Sequence, residues 1–185
     1  MMKSIPERWL EYKPYGTVIS GTKILPFKVP LKEVSVLVSK QLKFVIKYKF
    51  TTSVLLEAFP RLKYIIDLTN TDRYYDKQEF TNSGVKYEKI MVYGREIPSM
   101  DLVNRFFKTM DDFMSACGED DIVGVHCTHG VNRSGYLICR LVYYIKQNLV
   151  IKDHLRYVLH VERLYIYIHT HKILQNQCVI NLQLN

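Results

Sequence analysis

The sequence predicts a single α/β domain: a central, mainly parallel twisted sheet flanked by helices, with a C-x5-R loop between a strand and a buried helix. Three observations predict it. Lys63-Tyr64-Ile65-Ile66-Asp67-Leu68 is a continuous apolar run closed by turn residues, the pattern of a strand covered on both faces. Ile122-Val123-Gly124-Val125-His126 is a second such run and leads directly into Cys127. Stretches with helical spacing separate these runs, as parallel strands require, because their ends lie at opposite edges of the sheet.

In chain order, Gly21 to Val29 reads as an early strand. Lys32 to Tyr48 carries Val34, Val36, Leu37, Val38, Leu42, Phe44, Val45 and Ile46, a pattern compatible with either helix or strand. Thr52 or Ser53 can cap a short helix that runs through Phe59 and stops at Pro60. Val85 to Val92 alternates as a further strand. Ser99 is a natural N-cap, Asp101 faces the positive dipole end, and Leu102, Val103, Phe106, Phe107, Met110 and Phe113 continue a helical stripe to about Cys117. Ser134 to Gln147 is apolar nearly all round, which marks a buried helix.

Length supports one domain over residues 1–185, enough chain to enclose a sizeable core. With 48% apolar and 24% charged residues, the composition is that of a globular protein rather than a disordered one. The formal charge is +8, and Lys23, Lys28, Lys32, Lys40, Lys43, Lys47 and Lys49 crowd one stretch opposed only by Glu33. Such a surface suits an anionic partner, although a solvated Lys-rich face explains it equally well. The four cysteines, Cys117, Cys127, Cys139 and Cys178, form no CxxC and no pairing pattern. Met1 to Glu11 lacks an apolar h-region, and no apolar run approaches ~18 residues, so neither a secretory signal nor a membrane span is expected. A reducing compartment follows, which suits chemistry by a free thiol.

The segment His126-Cys127-Thr128-His129-Gly130-Val131-Asn132-Arg133-Ser134-Gly135 has the form of a phosphate cradle. A helix N-terminus leaves backbone N–H groups unpaired, and these can hold phosphate oxygens. The same dipole and Arg133 favour a thiolate at Cys127. Arg133 can grip two phosphate oxygens through its planar fork and follow the charge as it shifts. Five intervening residues let the chain curl once around a tetrahedral anion, and Gly130 permits the close approach. Ser134 can stabilise the thiolate or help it leave a phosphoenzyme. Cys127 and Arg133 are thus the candidate catalytic pair, Thr128, His129, Gly130, Val131 and Asn132 the cradle, and His126 and Ser134 its supports. Two blander readings compete. A lone thiol at a strand end is commonly an inert core residue. Histidines around a cysteine suggest zinc, but no second ligand cluster is near and an adjacent arginine opposes a cation.

The loop HCTHGVNRSG resembles that of the RNA 5′-triphosphatase branch of the cysteine-dependent dual-specificity phosphatases, which includes capping-enzyme triphosphatase domains, baculovirus RNA phosphatases and RNA/RNP-interacting phosphatases. IPERWLEYKPYG from Ile5, GTKILPFKVPL from Gly21, IIDLTNTDRYYD from Ile65 and VGVHCTHGVNRSGYLICR from Val123 agree in the same order, over roughly residues 5–150. The resemblance implies a cysteine-phosphatase-like fold, Cys127 as the nucleophile forming a phosphocysteine, and Arg133 with the backbone from Thr128 holding the phosphate. It also implies removal of the γ-phosphate, and often the β-phosphate, from RNA 5′ ends with no metal or cofactor.

Two features depart from that pattern. Many relatives acting on phosphotyrosine use a mobile aspartate as general acid, whereas Glu96 and Asp101 are the only carboxylates in VYGREIPSMD. Asp101 fits better as a first-turn helix residue. A diphosphate leaving group is far more acidic than an alcohol and needs such an acid less. The second departure is His169 to Cys178, HTHKILQNQC, where relatives carry a segment like RGHxIERxNY. Residues 151–185 therefore read as a diverged tail, in which His154, His160, His169 and His171 accumulate.

Three functions remain in view: an RNA 5′-phosphatase, a tyrosine or dual-specificity protein phosphatase, and an RNA-binding homologue with weakened turnover. The expected partners are RNA 5′ ends, ribonucleoproteins or phosphoproteins. A monomer, located in the nucleus or failing that the cytoplasm, is expected.

Overall fold

The computed structural model describes residues 5–32 and 50–150, the last five by backbone alone. Most of the ambiguous stretch before Tyr48 and the whole tail from Ile151 lie outside the described residues. Within them, strands β1 (Ile24–Lys28), β2 (Leu62–Asp67), β3 (Lys86–Lys89) and β4 (Ile122–Cys127) form one sheet in the order β1-β4-β2-β3. Every neighbouring pair is parallel. The helices are α1 (Thr52–Ala58), α2 (Gln78–Thr81), α3 (Met100–Ala116) and α4 (Asn132–Val150), with a short 3-10 turn at Trp9–Glu11. The predicted α/β architecture is the observed one.

Strand β4 is central and buried at all six positions. Its alternating side chains feed two cores. Val123, Val125 and Cys127 face Ile66, Val103, Phe106, Met110, Leu137 and Leu141, so α3 and α4 cover that side. The other core gathers Trp9, Phe27, Leu55, Leu62, Ile65 and Phe80 beneath the N-terminal turn, α1 and α2. Gly124 belongs to this second face. A Cβ there would lie 2.7 Å from Phe27 Cε1 and 2.9 Å from Ile65 Cδ1, so the flanking strands' side chains fill the space above it.

Ser99 caps α3 as expected, accepting from the Leu102 amide at 3.4 Å, and Val103, Phe106 and Met110 form its buried stripe. For α1 the cap is Thr51, one residue before the expected Thr52 or Ser53, and its hydroxyl accepts from the Val54 amide at 3.3 Å. Thr52 is buried and spends its hydroxyl on Glu79 instead. Helix α4 starts at Asn132, two residues before the expected Ser134, which brings Arg133 into its first turn. The four residues of α2 carry no periodic signal of their own and are held by the buried ring of Phe80.

Gly124→Ala is expected to destabilise the fold by about 1–3 kcal/mol, because a methyl enters a filled space. Urea unfolding followed by circular dichroism measures it.

Candidate active site

In a parallel sheet the C-terminal ends of all strands meet at one edge, where the loops that follow can form a site. Here that edge brings Lys28, Asp67, Lys89 and Cys127 into neighbouring positions: Lys28 is in register with Cys127, Asp67 with His126, and Lys89 with Asp67. The C-x5-R loop leaves β4 and curls back onto β1. Gly130 (φ +74°) makes this possible, since a Cβ there would sit 2.6 Å from the Phe27 carbonyl. The Val29 amide donates to the Thr128 carbonyl at 3.3 Å, and the Gly135 amide closes the loop on the Val131 carbonyl at 2.7 Å.

The thiol of Cys127 is buried, with its Sγ 3.4 Å from Ser134 Oγ. Burial alone pushes this thiol up. The charge of Arg133, the Ser134 hydroxyl and the Ser134 and His129 amides outweigh it, and the net result lies below the ordinary thiol value. Arg133 is fixed from three directions. Its Nη1 donates to the carbonyls of Leu68 (3.1 Å) and Val92 (2.8 Å), and Nη2 donates to Thr128 Oγ1 at 2.6 Å. Among the described residues, Nε–H and the second Nη2 proton make no hydrogen bond and can serve an oxyanion. The loop thus offers a cation, a thiol whose ionisation is eased by that cation and by amides, and a hydroxyl beside the sulfur.

His126 is wholly buried on the opposite face from the thiol, against Phe27. Behind it lies a network that sequence reasoning missed. Asp67 Oδ2 accepts from Tyr75 (3.0 Å), Tyr87 (2.8 Å) and Lys89 (2.9 Å), and Oδ1 accepts from the Thr69 amide and hydroxyl, both at 2.7 Å. An ionised carboxylate only accepts, so the Tyr75 proton points to Asp67, and His126 Nε2 donates to the Tyr75 oxygen at 2.7 Å. Burial lowers the His126 pKa and keeps the ring neutral, so its 3.6 Å approach to Asp67 is not an ion pair at neutral pH. Burial alone would raise Asp67; the charge His126 takes on in acid, the Lys89 ammonium with its hydrogen bond, and the Thr69 amide overcome this and bring the carboxyl to about 2.

Tyr74 and Tyr75 are both buried, at 8% and 6% exposure, and Tyr75 serves the network. The only early hint was the IIDLTNTDRYYD segment itself; nothing local tied Asp67 to Lys89, 22 residues on.

His129 turns outward from the loop. Its Nε2 donates to the Glu7 carbonyl at 2.8 Å, and its ring packs on Tyr12 with centroids 4.8 Å apart. Glu96 is exposed in the segment between β3 and α3, beside Arg95 in the left-handed region (φ 67°). Asp101 is exposed in the first turn of α3. Neither carboxylate bonds to the loop among the described residues. Nor do the described residues hold a cluster of three or more His, Cys, Asp or Glu suited to a metal.

A family model described as the dual specificity phosphatase catalytic domain matches residues 44–177. A tyrosine-protein phosphatase of Orgyia pseudotsugata multicapsid polyhedrosis virus is 44% identical over 136 residues, 73% of this chain and 59% of that one. The RNA/RNP complex-1-interacting phosphatase homolog of Caenorhabditis elegans is 42% identical over 142 residues, 75% of this chain and 60% of that one. The chain thus spans about 60% of the length of these relatives. The crystal structure of a mutant form of Tk-PTP shares the fold, with a TM-score of 0.54 at 14% identity, over 89% of this chain and 84% of that one. The resemblance read in the motifs is the one these relatives carry.

Asp67→Asn is expected to cost about 3 kcal/mol at neutral pH, since Lys89 loses its buried partner. The folded carboxyl at about 2 lies below its unfolded value of 3.8, so between these values the unfolded chain binds more protons. Stability from Asp67 is therefore complete above the unfolded value and is lost as pH falls through the folded one. Unfolding midpoints measured down this range should fall in the wild type and flatten in the variant.

Proposed function

Because this chain belongs to the dual-specificity phosphatase catalytic-domain family, we propose that it removes the γ-phosphate, and in turn the β-phosphate, from RNA 5′ ends through a phosphocysteine on Cys127. The observation that carries the reading is the loop geometry. A thiol pushed toward thiolate lies next to Ser134, and an arginine with its free fork edge is held rigidly beside it.

The terminal phosphate sits on the amides from Thr128 to Arg133, with Nε–H and Nη2 of Arg133 on two of its oxygens. Cys127 Sγ attacks phosphorus. The S–P bond forms, the P–O bond to the β-phosphate breaks, and diphosphate-ended RNA departs with the electron pair. Water then attacks the phosphocysteine and releases orthophosphate, and the Ser134 hydroxyl supports the departing thiolate. No step uses a metal. Glu96 and Asp101 stand exposed without a bond to the loop, and a phosphoanhydride leaving group is the kind that departs without a general acid. The +8 charge and the nematode relative's name, which refers to RNA/RNP, support an RNA end as substrate. The nucleus is the proposed compartment.

The name of the viral relative favours a second reading, a protein tyrosine or dual-specificity phosphatase. Against it, the buried Tyr74 and Tyr75 offer no exposed ring to sandwich a phosphotyrosine. The third reading is an RNA- or RNP-binding homologue that retains the loop without useful turnover, motivated by the diverged sequence of residues 151–185.

One assay separates them. With γ-labelled triphosphate RNA, the full chain should release labelled phosphate in the presence of chelator, and faster than it turns over a phosphopeptide. Cys127→Ser should abolish release. Arg133→Lys should lower it by about 100-fold or more, since one rigid fork toward the transition-state charge is lost. Faster phosphopeptide turnover would favour the second reading, and binding of RNA without any release would establish the third.

A further inference from the structure

A lysine side chain buried at the edge of a sheet is costly unless its ammonium is used. Lys28 is 5% exposed and stands beside Cys127 in the sheet register. Its Nζ donates to the carbonyls of Trp9 (3.0 Å) and Tyr12 (2.8 Å) and lies 3.5 Å from the centre of the Trp9 ring. Burial pushes the amine down to about 8. Among the charged groups of the N-terminal segment, Arg8 and Glu11 pair with each other at 2.8 Å on the surface and so leave the amine to the carbonyls. The Trp9 indole N–H adds a bond to the Val29 carbonyl at 2.9 Å.

The pinned segment reaches the C-x5-R loop at His129. The Glu7 carbonyl accepts from His129 Nε2 at 2.8 Å, and the Tyr12 ring packs on the imidazole. The His129 amide, in turn, is one of the two amides that stabilise the Cys127 thiolate. An unbroken series of contacts therefore runs from Lys28 through the segment to His129 and the sulfur.

We propose that Lys28 is a positioning residue for Cys127: it pins the segment Glu7–Tyr12, which fixes His129 and aims the His129 amide at the thiolate. The assignment rests on Cys127 being the nucleophile proposed above. It makes the N-terminal segment a brace of the loop rather than a mere cover of the core. Lys28 touches no substrate and acts through His129.

The test reads the thiolate directly. Iodoacetamide alkylation of the full-length protein is followed against pH by mass spectrometry of the Cys127 peptide. In Lys28→Met the alkylation midpoint should rise, with modification at about pH 6 slowed roughly three- to tenfold, because thiolate fraction follows the pKa. Tyr12→Leu, which keeps the backbone carbonyl but removes the ring over His129, should shift the midpoint in the same direction. A folded Lys28→Met protein with the wild-type alkylation profile overturns the proposal. Should that variant fail to fold, an unshifted midpoint in folded Tyr12→Leu overturns it. Alkylation needs no substrate, so a wild type that shifts as stated yet releases no phosphate from RNA would sink the proposed function and leave the assignment of Lys28 standing.

Discussion

Everything at this site depends on holding one guanidinium still. Arg133 is fixed by the Leu68 carbonyl just past β2, the Val92 carbonyl past β3, and Thr128 on its own loop. Those three acceptors come from separate parts of the chain, and only the common C-terminal edge of a parallel sheet gathers them. The result is a fixed positive charge next to a thiol that burial would otherwise keep protonated. With the arginine displaced, the sulfur would lose the largest of the influences that oppose its burial. The competition between desolvation on one side and Arg133, the Ser134 hydroxyl and the loop amides on the other therefore decides what Cys127 is.

The sheet supports this arrangement from both faces in different ways. On the thiol's side the support is apolar, from Val103, Phe106, Leu137 and Leu141 under the loop. On the other side it is polar: His126, Tyr75, Tyr87, Thr69 and Lys89 converge on Asp67. A buried network of this sort is stabilising only when complete. Here it is complete, and among the described residues no buried side-chain polar atom lacks a partner. The N-terminal segment adds a third contact from outside, through Lys28 and His129. A loop supported on three sides loses little further freedom when a phosphate arrives, which is how preorganisation lowers the cost of binding.

Local features were legible early because their physics is local. The C-x5-R spacing, the glycine that lets the loop close, the Ser99 cap and the apolar runs of β2 and β4 each depend on neighbours a few residues away. Boundaries were less legible. The α1 cap moved from Thr52 to Thr51 because Thr52 is drawn into a long-range bond with Glu79. Helix α4 started earlier than its apolar pattern because the loop's closure, not hydrophobic period, sets its first turn. The role of Tyr75 has no local sign in the sequence because its partner His126 is 51 residues away.

Sequence alone determined the α/β class, the loop, its Cys127–Arg133 pair and the family, since each is written in residue order and short-range spacing. Tertiary structure decided the strand order β1-β4-β2-β3, the acceptors that lock Arg133, the Asp67 network and the clasp of Lys28 on the N-terminal segment. These join groups far apart in the chain. Their energies depend on burial and on which strands become neighbours, and neither exists until the sheet has formed.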